Sequence, residues 1–182
     1  MNARSTIFAL ALAMAACAGQ DFTEPPTVEE EADIAQTVSD FKRASPDIQK
    51  FFDEAHAYAI FPSVGRGGLG IGGARGTGWV FENGEVIGST TMNMLTVGAQ
   101  AGGQAYAEIL FFKDADALSS FKAGRTELGA EATAVVLKQK ATAEAGYNTA
   151  GIAVFVLPKG GAMAEASVGG QKFSFEPLEG TQ

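Results

Sequence analysis

Glu108 interrupts the apolar run Tyr106–Phe112. Most other acids gather in Glu29–Asp33, at Asp114/Asp116 or near the C-terminus, where solvated faces are the default. A carboxyl among hydrophobic side chains can act as an acid or base, and paired with a second carboxylate it can support glycoside hydrolysis. If Tyr106, Glu108 and Leu110 share one face of a strand, that face carries a charge that needs a partner. Arg66, Arg75 and Arg125 are the candidates, and a structural ion pair outweighs catalysis. Nucleophilic chemistry needs a base beside the nucleophile. The single histidine, His56, falls at a helix-to-strand junction and reads as a surface or capping residue. No Gly-x-Ser-x-Gly elbow occurs, and no His/Cys cluster is present to hold a transition metal. The residue types point away from an enzyme and call for no cofactor and no metal.

A second candidate is the glycine-dense stretch 57–81, AYAIFPSVGRGGLGIGGARGTGWVF. Gly68, Gly70 and Gly73 spell GxGxxG, but a dinucleotide site needs the third glycine to open a helix. Gly76 and Gly78 follow at once and oppose one. The alternation of Leu69 and Ile71 with glycines instead predicts a Gly-laced β-hairpin. No P-loop is present, yet backbone N–H groups near Arg66 or Arg75 could cradle a phosphate, of a lipid headgroup or of a nucleotide. Leu69, Ile71 and Trp79 are expected to line or pack the interior. Met92, Met94 and Met163, beside small residues, are compatible with a cavity for acyl chains, with ordinary core packing as the alternative.

The elements that must position these residues follow from periodicity. Val28, Ala32, Ala35, Val38 and Phe41 predict a helix over Val28–Lys42, with Glu29–Glu31 at the positive end of its dipole. Ser45 and Pro46 predict a second helix to about Ala55, burying Ile48, Phe51 and Phe52. Strands are expected at Ala57–Phe61, closed by Pro62-Ser63, and at Trp79–Phe81. An Asn83-Gly84 turn leads back into Val86–Thr91. Met92–Val97 reads as strand or pocket-facing loop, Tyr106–Phe112 as strand, and Asp114–Gly124 as a helix burying Ala117, Leu118 and Phe121. Thr133–Leu137, Gly151–Leu157, Gly161–Val168 and Gln171–Phe175 complete the strands. Paired glycines precede three aromatic-ended strands, which fits a strongly curved antiparallel sheet in which glycines supply the bends. The expected class is α+β, with N-terminal helices packed on a Gly-rich curved sheet or partial barrel.

Of the 182 residues, 46% are apolar and 19% charged, enough for one cored domain. The net charge of −8 opposes nucleic acid as a partner, because that affinity comes from neutralising phosphates. Arg4, the short apolar run Ile7–Met14 and small residues before the sole cysteine, Cys17, read as a targeting segment. Met14-Ala15-Ala16-Cys17 resembles a bacterial lipobox. That resemblance implies cleavage after residue 16 and lipid attachment at Cys17, with palmitate among the acyl chains. Ala18 rather than Asp after the cysteine implies the outer membrane, facing the periplasm. Residues 17–27 then form a lipidated tether, and 28–180 the domain.

AHAYAIFPSVGRGGLGIGGARGTGWV, VGAQAGGQAYAEILFFKDADALSSF and AVFVLPKGGAMAEASVGGQKFSF occur in the order of three blocks of the SYLF (Ysc84/DUF500) family, and the chain resembles that family over roughly residues 30–178. The resemblance implies phospholipid binding, in bacterial members as secreted or lipid-anchored proteins thought to bind or move lipid. Ala164-Glu165-Ala166 departs from the family's aliphatic-Ala-Gly ending. The acidic N-terminal segment lacks the basic helix linked to phosphoinositides, so actin is an unlikely partner. The expectation is a non-catalytic phospholipid-binding envelope lipoprotein, in lipid transport or membrane homeostasis. The ligand-binding candidates are Arg66, Arg75, Trp79, Met92, Met94 and Glu108. The alternative is a structural or interaction lipoprotein of the envelope without a lipid cavity.

Overall fold

The computed structural model describes residues 23–128, 135–136 and 146–179. Cys17 and the targeting segment therefore lie outside the described residues, as does the side chain of Met163. Helix α1 spans Val28–Ala44, and a 3₁₀ turn over Pro46–Ile48 runs into α2, Gln49–Glu54. Two long strands follow, β1 (Ala57–Glu82) and β2 (Glu85–Phe112), then α3 (Ala115–Lys122). The short β3 (Glu127–Leu128) and β4 (Val135–Val136) precede the long β5 (Ile152–Pro177). They make one five-stranded sheet ordered β1-β2-β5-β3, with β4 also on β5. Every pairing is antiparallel except that of β4. The class is α+β with a curled, partly closed sheet, as the sequence implies.

The strands are far longer than their sequence signatures suggest. The expected hairpin between Ala57 and Phe81 is instead one strand of 26 residues paired throughout with β2. Likewise the three C-terminal strands are one strand of 26 residues. Neither Pro62 nor the glycines end β1; Pro62 and Gly70 sit at interruptions of the ladder, between Phe61 and Val64 and between Leu69 and Ile71, and the other glycines of the stretch are paired with β2. Proline is tolerated there because a bulge leaves a residue unpaired. Gly70, at the second interruption, has φ +73°, a conformation that L side chains rarely adopt. Asn83 and Gly84, both at positive φ, form the expected two-residue turn. Of the expected strand 133–137, only Val135–Val136 lies within the described residues.

Each long strand folds back upon itself at its glycine-rich middle. Met92 pairs with Phe173, and Glu108 pairs with Phe61. A straight strand would hold residues 92 and 108 ~50 Å apart, yet the Phe61 and Phe173 rings meet at 6.0 Å. The two halves of β1 touch as well: a Cβ on Gly78 would strike the carbonyl of Ile60.

Folding over creates two cores. The inner one joins Phe61, Val64, Met92, Tyr106, Leu110, Phe112 and Phe173 with Ala117, Leu118 and Phe121 of α3. The outer one lays Ile34 and Phe41 of α1, and Ile48 and Phe51, on Ile60, Trp79, Ile109, Phe111 and Phe155. Thr27 and Glu30 cap α1 reciprocally, a device that satisfies two N-terminal donors. The buried face of α1 is Ile34, Thr37 and Phe41, whereas Val28 is 83% exposed. Repeated steps of three walk around a helix of 3.6 residues per turn, so the expected alanine stripe drifts off the sheet; steps of three and four stay on it. Asp114 caps α3 by accepting from the Ala117 amide, and Ser45 makes no side-chain cap bond. Phe52 is only partly buried.

The backbone contact at Gly78 sets the closure of the sheet. Gly78→Val is expected to destabilise the protein by about 2 kcal/mol or more through forced overpacking. Gly65→Ala, where a Cβ meets open space, is expected to stay within about 0.5 kcal/mol. Urea unfolding of the two variants checks both values.

Candidate functional site

Alternation along β2 places Tyr106, Glu108 and Leu110 on one face, directed into the inner core. Glu108 is fully buried, and its Oε2 accepts a hydrogen bond from Gln171 Nε2 at 3.1 Å. Its Oε1 is buried with no hydrogen-bond partner among the described residues. Burial pushes the carboxyl up to about 7, against the Gln171 bond, which lowers it. The Tyr106 phenol is also raised, by burial first and then by the Glu108 charge, while Arg66 and Gln171 pull it down. Arg66 is half-buried on this same side. The polar partner of Glu108 is thus an amide from the far half of β5 and not the expected arginine ion pair. Gln171 pairs in the ladder with Met94, fourteen positions from Glu108 along β2, so only the fold-over brings it near.

The candidate residues divide between the two faces. Met92 is wholly buried and Met94 partly buried in the inner core, with Glu108 and Arg66. Trp79 faces outward and packs in the helix-covered core, and Arg75 follows it on the outer face, exposed. The strand's alternation sets Arg66 and Arg75 on opposite sides, so a phosphate nest near either one cannot draw on both. Leu69 and Ile71 also fail to line the interior. They are 84% and 66% exposed, and Leu95 and Val97 are 67% and 56% exposed. Ile71 pairs directly with Val97, and Leu95 lies opposite Gly73. Four large apolar side chains thus gather at the outside of the bend, in the stretch of sheet where the strands turn back.

His56 Nε2 lies 2.7 Å from Glu82 Oε1. The pair ties the start of β1 to its end, a structural role in keeping with the junction reading. The clefts among the described residues include two of note. One of about 150 Å³ beside Trp79 is bounded by Glu30, Asp33, Pro62, Ser63 and Thr77. It is smaller than the roughly 300 Å³ at which small-molecule pockets begin. The other, about 530 Å³, lies between the start of α3 and Tyr147–Gly151, with charges of both signs. Among the described residues no group of three His, Cys, Asp or Glu side chains is placed to hold a metal ion.

No protein-family model matches the chain, and no solved structure matches it. Beta cell expansion factor A of Aeromonas veronii is 27% identical over 160 residues, which is 84% of this chain and 60% of that protein. The chain therefore spans about three fifths of the length of this curated relative.

Because burial raises the Glu108 carboxyl in the folded state, the stability this group contributes is fully present below about pH 4.5 and is lost as pH rises towards about 7. It is level above that. The total loss expected from this group is roughly 3 kcal/mol. Denaturant unfolding across pH 4 to 8 measures it, and Glu108→Gln should remove this component.

Proposed function

We propose that this chain binds phospholipid without catalysing a reaction, pressing the bend of its sheet against a bilayer surface. The observation that carries the proposal is the cluster of Leu69, Ile71, Leu95 and Val97 exposed at the outside of the bend. Contiguous exposed apolar side chains mark contact with a membrane or a protein. The three SYLF-like blocks support the lipid reading, since two of them contribute three of these four residues, Leu69, Ile71 and Val97. A lipid anchor at Cys17 would hold the domain within reach of such a surface. The net charge of −8 opposes long-range attraction to anionic lipid, so insertion of apolar side chains carries the affinity and salt changes it little. Arg75, on the same face as Ile71, is the cation available to a phosphate at the bilayer surface.

A second reading, an interaction lipoprotein of the envelope without a lipid cavity, draws on the packed inner core around Met92, Phe61 and Phe173. In that case the same four side chains meet a protein.

The test uses the chain with Cys17→Ala, which carries no acyl group. It is expected to co-sediment with phosphatidylethanolamine/phosphatidylglycerol vesicles at both 50 mM and 500 mM salt. Adding Ile71→Asp and Val97→Asp should weaken binding at least about tenfold, because two inserted aliphatic side chains contribute more than 1.4 kcal/mol. Absence of vesicle binding by the Cys17→Ala chain would discard the lipid reading in favour of the protein one.

A further inference from the structure

The two halves of the bent sheet meet across the inner core through aromatic contacts and one polar contact of unusual chemistry. Phe61 meets Phe173 at 6.0 Å, and Phe173 meets Phe121 of α3 at 5.3 Å. Between them Gln171 of β5 reaches Glu108 of β2. The groups around this pair are Tyr106 on β2 and Arg66 on β1, with Val156 and Phe173 on β5. Helix α3 contributes only Ala117, Leu118 and Phe121 to this core. Lys172, the neighbour of Gln171, turns away to exposed Glu127, 2.9 Å from it.

We propose that Glu108 is a proton-controlled latch between the halves of the sheet, closed while its carboxyl is neutral and loosened as it ionises, against the hold of the Gln171 amide. The bond that Gln171 donates to Oε2 is kept and strengthened when the carboxyl ionises, so what ionisation upsets is burial, since the interior tolerates a neutral acid better than a charge. Ionisation therefore leaves Oε1, already without a partner among the described residues, as a charged atom in an apolar interior. Hydrating it relieves that cost. The β1 edge resists opening, because Gly78 rests on the Ile60 backbone, and Tyr58 stacks on Phe81 at 4.9 Å. Loosening belongs to the β5 side, where Phe173 draws back from Phe61 and water reaches Glu108 and Met92. The burial that pushes the Glu108 carboxyl up to about 7 puts the change close to neutrality. The latch is independent of the lipid proposal, since it concerns the inner face and not the exposed bend.

Peroxide oxidation of Met92, followed by mass spectrometry of the full chain without lipid, reads the opening directly. Met92 is wholly buried when the latch is shut. In the wild type its oxidation rate is expected to climb by up to about tenfold per pH unit between pH 5 and 7, then level off. Glu108→Gln, which stays neutral and leaves the His56–Glu82 pair intact, should give a slow rate that does not change with pH. Gln171→Leu removes the bond that favours the carboxylate, so the levelling-off should move to higher pH. A wild-type rate that does not vary with pH overturns the proposal. A Glu108→Gln profile that matches the wild type does so too. If Glu108→Gln does not fold, an unmoved profile in Gln171→Leu has the same consequence.

Discussion

A strand of 28 residues, drawn straight, is ~90 Å long, several times the radius of a domain this size. Three such strands side by side can bury their faces only by bending back on themselves, and the rest of the molecule follows from that necessity. Bending brings two stretches of the same sheet face to face, so backbone must lie on backbone at the closing edge. The absence of a side chain at Gly78, against the Ile60 carbonyl, is what allows it. Once closed, the concave side encloses an apolar core, to which α3 adds Phe121. The convex side remains broad, and α1 and α2 cover it only near the strand ends, around Trp79 and Phe111.

This division explains the uneven fate of the apolar residues. Near the strand ends, outward-facing Ile60, Trp79, Ile109 and Phe155 find helices and are buried. At the bend, outward-facing Leu69, Ile71, Leu95 and Val97 meet no such cover among the described residues. The same alternation of side chains thus yields a core in one place and an apolar surface in another. The inner face pays a different cost, because a carboxyl enclosed with phenylalanines is held there by an amide that arrives only through the fold-over.

The sequence disclosed the class of fold through local rules. Asn83-Gly84 needs positive φ at both residues, and Asp114 places a carboxylate at a helix start; both signals act within four residues and both were legible. The glycines were legible as bends in a curved sheet, but not as bends inside unbroken strands, since a local pattern cannot tell a turn from a bulge. The presence of Glu108 on an inward face was readable from period two. Its partner was not, because Gln171 is 63 positions away and no spacing links them. The opposite orientations of Arg66 and Arg75 hang on where the ladder interruptions fall, and those depend on pairing across the sheet. The alanine stripe of α1 misled for a related reason: small residues mark a face without saying how much it can bury.

The position of β1 at the margin of the sheet has a further consequence. Among the described residues its middle has a ladder partner on one side only, next to exposed Leu69 and Ile71. An apolar margin with spare backbone groups is the usual template for edge-to-edge stacking of copies. Here the margin is broken by a proline bulge at Pro62 and a left-handed glycine at Gly70, with Arg75 a few residues beyond Ile71. Another strand would find no even row to zip onto. The interruptions that make the strand bend also guard its exposed edge against stacking into fibrils.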